Sequence, residues 1–139
     1  MHNEYDTAIE ALEKIIQSMN EAIKEMWSAG YIGMMTSIGK ISANEAIKKS
    51  LAEDIPSLLN DISLNIPGME FEYDSQKIVV KKCIVRELAE KGVIELNGLL
   101  CAFMKGYMSR MLENVNAKLL NVKISDICEI TLKVKFLCQ

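Results

Sequence analysis

The spacing of apolar residues changes three times along the 139-residue chain, and this pattern is the strongest constraint on its fold. Over residues 1–66 the apolar positions recur at three- and four-residue intervals, as in amphipathic helices. They alternate over 69–80, return to helical spacing over 84–114, and alternate again over 120–136. The pattern predicts one α+β domain over 1–139. An antiparallel sheet of two β-hairpins would pack against helices in the order α-α-β-β-α-α-β-β.

The clearest predicted helix covers residues 1–29. Its apolar stripe advances by four and three residues and is widened by Ala8, Ile15 and Ala22. The stripe consists of Tyr5, Ile9, Leu12, Ile16, Met19, Ile23 and Met26. This near-heptad spacing predicts a long amphipathic helix that packs within its own domain, against its own copy, or against a partner helix.

Glycine, proline and a capping pattern set the expected limits of the second helix. Gly30 and Gly33 interrupt the first helical pattern. Ser42 and Glu45 have the spacing of a capping box, which predicts that the next helix begins near Ser42. Pro56 is expected to kink that helix or to divide it into two shorter ones.

A long helix is predicted from about residue 95 to 114, and three small residues lie along one side of it. Gly98, Ala102 and Gly106 are four residues apart. A glycine inside a helix costs about 1 kcal/mol relative to alanine, so a compensating contact is expected. A stripe of small side chains allows another backbone, or a flat ligand, to approach closely.

Both predicted hairpins have a register that places their apolar residues on one face. With a two-residue turn over 75–76, Tyr73 pairs with Ile78 and Phe71 pairs with Val80. In the second hairpin, only a three-residue loop over 125–127 keeps the apolar residues together. Its expected inward-facing residues are Leu120, Val122, Ile124, Cys128, Ile130, Leu132, Val134 and Phe136. That loop pairs Ile124 with Cys128 and Val122 with Ile130.

Charge and hydropathy argue against several classes of partner. Acidic residues number 19 and basic residues 16, so the net charge is −3 and no nucleic-acid partner is expected. No apolar run approaches the roughly 20 residues that a membrane-spanning helix needs. The polar first residues predict that there is no signal peptide. Four widely spaced cysteines without an export signal favour reduced thiols and a cytoplasmic protein.

The sequence carries no familiar catalytic motif. It has no glycine-rich phosphate loop and no Gly-x-Ser-x-Gly nucleophile turn. Its single histidine is His2, so a Ser–His or Cys–His nucleophile would need the second residue as its base. An enzyme is therefore the less favoured interpretation.

The four cysteines do not show the paired spacing of a zinc motif. Cys83, Cys101, Cys128 and Cys138 contain no Cys-x-x-Cys pair. One continuous strand would separate Cys128 from Cys138 by about 33 Å. No cofactor is predicted; if zinc were bound, Cys101, Cys128 and Cys138 would be the candidates. The alternative is that the thiols act as small apolar residues.

Methionine is frequent, with nine residues in the chain, and several of them lie near aromatic residues in the pattern. Methionine is flexible and polarizable, so it suits a pocket that adapts to varied apolar shapes. The alternative is that these side chains are ordinary core residues. The candidate ligand-binding residues are Trp27, Tyr31, Phe103, Met104, Tyr107 and Met108.

Over about residues 71–134, the chain resembles the 4-vinyl reductase superfamily of small-molecule-binding domains, which includes archaeal hydrocarbon-binding proteins. The matching segments are MEFEYDSQKIVVKKC, LNGLLCAFMKGYMSRML and VKISDICEITLKV, so the most family-like part lies within 69–138. Cys101, Phe103 and Gly106 correspond to the family's cysteine-aromatic-x-x-Gly helix.

The resemblance implies an apolar pocket between helices and sheet, in a protein that forms a homodimer. Cys128 falls at a cysteine of the family's last hairpin. Zinc-binding members have a glutamate three residues before that cysteine and a cysteine eight residues after it. Ser125 and Phe136 occupy these positions here, so the resemblance does not imply a zinc site.

Three functional hypotheses follow from the sequence. The first is a dimeric domain that binds a small apolar or aromatic molecule in a methionine- and aromatic-lined pocket, as a sensor or carrier. The second is a homo- or hetero-oligomeric scaffold that assembles without a ligand. The third is a cysteine-based metal-binding protein.

Overall fold

The computed structural model describes residues 4–26 and 30–134 and confirms the predicted α+β class. The helices of this part of the chain are α1 (Glu4–Met26), α2 (Tyr31–Lys49), α3 (Ile55–Asn65), α4 (Ile84–Glu90) and α5 (Leu99–Glu113). Its strands are β1 (Glu70–Asp74), β2 (Lys77–Lys82), β3 (Ala117–Ile124) and β4 (Cys128–Val134). The predicted order of elements holds, with the predicted second helix divided into α2 and α3.

Pro56 separates α2 from α3, as predicted. The proline lies in the first turn of α3, where its missing N–H has no helical partner to lose. Asp54 caps the same turn, because its carboxylate accepts a hydrogen bond of 2.9 Å from the backbone N–H of Ser57. These two residues set the start of α3, after α2 has ended at Lys49.

The predicted start of α2 at Ser42 is wrong, because the helix begins at Tyr31. Gly30 precedes it with φ of +90°, a left-handed conformation that glycine adopts without steric cost. Gly33 lies within the helix instead of interrupting it. Ser42 is therefore an interior residue of a helix that starts three turns earlier.

The four strands form one antiparallel sheet in the order β1-β2-β4-β3. The predicted register of the first hairpin is confirmed, since Tyr73 pairs with Ile78 and Phe71 with Val80. The second hairpin is confirmed in the same way, and Ile124 pairs with Cys128 across the three-residue loop. Apart from Leu120, the predicted inward residues that the structure describes therefore share the inner face of the sheet, and Phe136 lies outside the described residues.

One strand residue departs from the predicted inward set. Leu120 is 54% exposed, although the alternation places it inside. A register shift between Leu119 and Asn121 makes Leu120 the extra residue of a bulge. Leu119 and Ala117 consequently take the inward positions at that end of β3.

The main core lies between the inner face of the sheet and helices α3 and α5, while α2 covers the other side of α5. Two glycines permit this close packing of α2 and α5. A side chain on Gly39 would overlap the carbonyl oxygen of Phe103, and one on Gly106 would overlap that of Thr36. Gly106 of the small-residue stripe thus meets another backbone, and this contact compensates for a glycine inside the helix. Gly98 is not in the helix, which begins at Leu99 and not near residue 95, and it faces the Glu95 side chain.

Helix α1 is attached to this body by a few side chains on one flank. Ile16 and Ile23 are half-buried and pack against the core. The buried amide of Asn20 donates a hydrogen bond of 3.0 Å to Glu95. Ile9 is half-buried as well, whereas the other large apolar residues of the helix are exposed.

An ion pair strengthens the same attachment, because Lys24 Nζ lies 3.2 Å from Glu95 Oε1. Burial raises the pKa of Glu95, but the Asn20 amide and the Lys24 ammonium outweigh this effect and hold its pKa below the ordinary value. Glu95 is therefore ionised at neutral pH and can anchor α1 there.

Candidate functional site

An apolar cavity of about 60 Å³ lies between the inner face of the sheet and helices α4 and α5. All four strands contribute side chains to it because the hairpin registers turn their apolar residues the same way. The sheet residues that dominate its lining are Phe71, Val80, Val122, Ile124, Cys128 and Ile130. The cavity is therefore a gap within the layer that joins helix to sheet.

Helix α5 covers the cavity with four residues of one face. Cys101, Met104, Lys105 and Met108 follow the i, i+3, i+4, i+7 spacing that brings side chains to the same side of a helix. Met69, just before β1, adds a third methionine to the lining. Three unbranched, adaptable side chains thus border the space.

Of the six predicted ligand-binding residues, Met104 and Met108 line this cavity. Phe103 and Tyr107 lie on α5 but outside its lining. Their rings stack with centroids 6.3 Å apart at an interplanar angle of 20°. Tyr107 is buried in the main core, and burial raises its pKa. These two aromatic residues are therefore packing partners within the protein.

Of the other two predicted residues, Tyr31 is not part of the cavity lining. Tyr31 is half-buried at the start of α2, where it packs near Met35 and Ala102. Trp27 lies outside the described residues. The structure thus brings together two of the six residues and places three others at helix–helix contacts.

The sheet side of the cavity was not among the predicted site residues. A sequence signal for it existed, because the hairpin register already assigned Phe71, Val80, Val122 and Cys128 to one face. What the sequence did not show is that this face meets the Cys101–Met108 side of α5. Both sides of α5 carry apolar residues, so periodicity alone does not say which one faces the sheet.

The volume of the cavity limits what it can hold in this conformation. An engineered apolar cavity of about 150 Å³ holds benzene, whereas this one has about 60 Å³. A single aromatic ring therefore requires the lining to move. Rotation of Met69, Met104 and Met108 offers such movement at low cost, because methionine has no branched carbon.

Three free thiols, those of Cys83, Cys101 and Cys128, also face the cavity. Burial raises the pKa of the Cys101 thiol, and the backbone N–H of Asn97 donates a hydrogen bond of 3.3 Å to its sulfur. Cys101 is thus a neutral, weakly polar part of the wall at physiological pH.

Arg86 fixes the wall of the cavity near Cys128. Its Nη2 donates one hydrogen bond of 2.7 Å to the Ser125 carbonyl oxygen and another of 3.2 Å to Cys128 Sγ. The two bonds tie α4 to the loop between β3 and β4. They therefore hold the end of the second hairpin against the helices that enclose the cavity.

The described residues do not form a metal site. Within 4–26 and 30–134, no group of three or more His, Cys, Asp or Glu side chains is arranged to hold an ion. Two of the zinc candidates, Cys101 and Cys128, line the cavity, whereas Cys138 lies outside the described residues. Among the helices of 4–26 and 30–134, none combines the length and the hydropathy of a membrane-spanning segment.

A broader groove runs between α3 and β1, with a volume of about 570 Å³. Exposed polar residues, including Asn60, Glu70 and Glu72, form much of its border. A groove with this border favours water over an apolar guest. The smaller cavity is the better candidate site because its walls are almost entirely apolar.

Comparison with known proteins does not add a relative: no family model, curated protein or solved structure matches this chain.

Proposed function

We propose that the protein binds a small apolar or aromatic molecule in the cavity between α5 and the sheet, as a carrier or sensor. The observation that carries this proposal is an apolar cavity bordered by three methionines, Met69, Met104 and Met108. A cavity lined by branched residues would be rigid, whereas methionine side chains can withdraw to admit a guest. The resemblance of residues 71–134 to the 4-vinyl reductase superfamily supports the same proposal.

The charge at the cavity suggests which guests it favours. Lys105 is the one charged residue in the lining, and it forms no ion pair with the described residues. An ammonium group beside an apolar cavity attracts an anionic group at one end of an otherwise apolar molecule. We therefore expect benzoate to bind more tightly than a neutral analogue of the same size.

The chemistry of the lining favours binding over catalysis. Apart from Lys105, the titratable groups of the lining are the thiols of Cys83, Cys101 and Cys128. An acid–base pair, which most hydrolytic and proton-transfer reactions need, is not present among these groups. The free thiols also suit a reducing compartment such as the cytoplasm.

A substitution that fills the cavity tests this proposal. Cys101→Phe places a ring in the space, and we expect it to weaken binding of toluene, indole and benzoate at least tenfold. Val79→Phe is the matched control, because Val79 lies on β2 but outside the cavity lining. With the unaltered protein and the control, each guest at about ten times its Kd should raise the Tm by about 3 °C or more.

The outcome is decided by the pattern over the three proteins. Stabilisation that is absent from Cys101→Phe alone, with circular dichroism unchanged, supports the proposal. Stabilisation of all three proteins to the same extent places the guest elsewhere and contradicts it. No stabilisation of the unaltered protein by any guest contradicts it as well.

A second function, assembly through α1, is favoured by a different observation. Five large apolar residues of this helix are exposed along its length. A scaffold role would use this surface and would not need the cavity. The two functions are compatible, since the surface and the cavity share no residue.

A further inference from the structure

One face of α1 is apolar and exposed from end to end. This face, here named the outer seam, consists of Tyr5, Ala8, Leu12, Ile15, Met19, Ala22 and Met26. Its five large side chains each expose between 53% and 73% of their surface. The spacing alternates between three and four residues over three heptads, which is the pattern of a two-stranded coiled coil. A continuous apolar strip of this kind marks an interaction surface.

The attachment of α1 to the body leaves the outer seam open. Ile16, Asn20 and Ile23, which pack against the body, lie about a quarter-turn around the helix from it. Glu13 and Lys24, which form ion pairs with Lys91 and Glu95, lie further round. The body therefore covers a neighbouring flank. A partner helix can reach the outer seam without displacing these contacts.

We propose that the outer seam joins two copies of this chain into a homodimer, in which the two α1 helices pack antiparallel. The sizes of the seam residues favour this arrangement. In an antiparallel pair, Tyr5 packs over Ala22 of the second copy and Met19 packs over Ala8. In a parallel pair, tyrosine would meet tyrosine and alanine would meet alanine, which crowds one layer and leaves a gap in the next.

The same register puts the two central branched residues in contact, Leu12 of one copy against Ile15 of the other. The helix has 23 residues and is about 34 Å long, so both seams together bury on the order of 1,000 Å². This is below the roughly 1,200–2,000 Å² of stable interfaces and falls among weak, transient ones. The proposed dimer is therefore weak, with a Kd in the micromolar range.

Acidic residues at the two ends of α1 also meet in this arrangement. Glu4 of one copy lies beside Glu25 of the other, and both are exposed. Like charges at the rim weaken association slightly, and salt screens them. We therefore expect the dimer to tighten when the salt concentration rises from 50 to 500 mM.

Sedimentation of the full chain tests whether the outer seam is the interface. Ile15→Glu places a charge at the centre of the seam and should weaken the dimer at least thirtyfold. Ile41→Glu is the matched control, because Ile41 is 67% exposed on α2 and lies outside the seam. Circular dichroism verifies that both variants keep the helical content of the unaltered protein.

Glu25→Lys tests the direction of the helices. In the antiparallel pair, the new lysine faces Glu4 of the second copy twice per dimer, so the Kd at 50 mM salt should fall three- to tenfold. In a parallel pair, position 25 is far from Glu4, so the Kd would not fall by this route. An unchanged or higher Kd therefore contradicts the antiparallel arrangement.

Three further results would overturn the proposal. They are an unaltered protein that stays monomeric up to 500 µM, an Ile15→Glu variant that dimerises like the unaltered protein, and an Ile41→Glu variant that dissociates equally. The proposal rests on α1 and does not depend on a guest in the cavity. Failure of one proposal is thus distinguishable from failure of the other.

Discussion

Replacing Gly106 with alanine should lower the free energy of unfolding by about 3 kcal/mol, or prevent folding altogether. The added methyl group would overlap the Thr36 carbonyl oxygen, and this is a backbone atom that no side-chain rotation can move away. Either α2 must shift away from α5, or the helices must distort, and overpacking of this kind typically costs 1–3 kcal/mol or more. Urea unfolding measured by circular dichroism gives the change directly.

Gly33→Ala provides the control for this prediction, because a side chain at Gly33 meets no atom within 4 Å. This glycine also lies inside a helix, so alanine there should stabilise the protein by up to about 1 kcal/mol. Replacing glycine with alanine is thus expected to lower the free energy of unfolding at position 106 and to raise it at position 33. Equal effects at both would contradict the close packing of α2 on α5.

Replacing Met104 with alanine should reduce stability and at the same time improve binding of a guest. The truncation removes a half-buried side chain from the cavity wall, which typically costs about 2 kcal/mol for a methionine in this setting. The enlarged cavity then has room for one aromatic ring. Toluene should therefore bind about tenfold more tightly to the variant than to the unaltered protein and should restore much of the lost stability.

Met34→Ala separates the two effects of this truncation. Met34 is also half-buried, but it packs on α2 beside Met35 and is absent from the cavity lining. Its removal should cost stability without any gain in toluene affinity. Urea unfolding with and without toluene measures both quantities, and equal rescue of the two variants would contradict the cavity as the binding site.

The sequence predicted those features of the fold that depend on neighbouring residues. Alternation alone determined both hairpin registers, because a shift of one residue would turn Ile78 and Val80 outward. Pro56 and Asp54 likewise act within one turn of helix, so the boundary between α2 and α3 was foreseeable.

The incorrect predictions concern features that depend on distant contacts. The predicted start of α2 at Ser42 is wrong because the helix continues through Gly33, and its Gly39 packs against the backbone of α5. The bulge at Leu120 shifts the alternation by one residue, from Ala117 and Leu119 to Val122 and Ile124, and two adjacent leucines do not show which of them faces the core. The glycines and the capping pattern therefore predicted a helix boundary at a place where tertiary packing overrides local propensity.

The candidate site was only partly predictable for the same reason. The clustering of methionine and aromatic residues indicated Met104 and Met108, which line the cavity. It indicated Phe103 and Tyr107 equally, and these two do not line it. All four lie on α5, and their spacing cannot distinguish the side that faces the sheet from the side that faces other helices. Only the three-dimensional packing of α5 separates them.

The proposal that the cavity holds a guest is tested most directly by the methyl groups of the methionines. Labelling these methyl groups with ¹³C gives each methionine its own NMR signal. Toluene or benzoate is then added to the full chain. We predict chemical-shift changes and guest contacts at Met69, Met104 and Met108. The internal controls are Met19 and Met34, which lie outside the cavity and should not respond. Equal changes at the controls, or none at the three cavity methionines, would contradict the proposal.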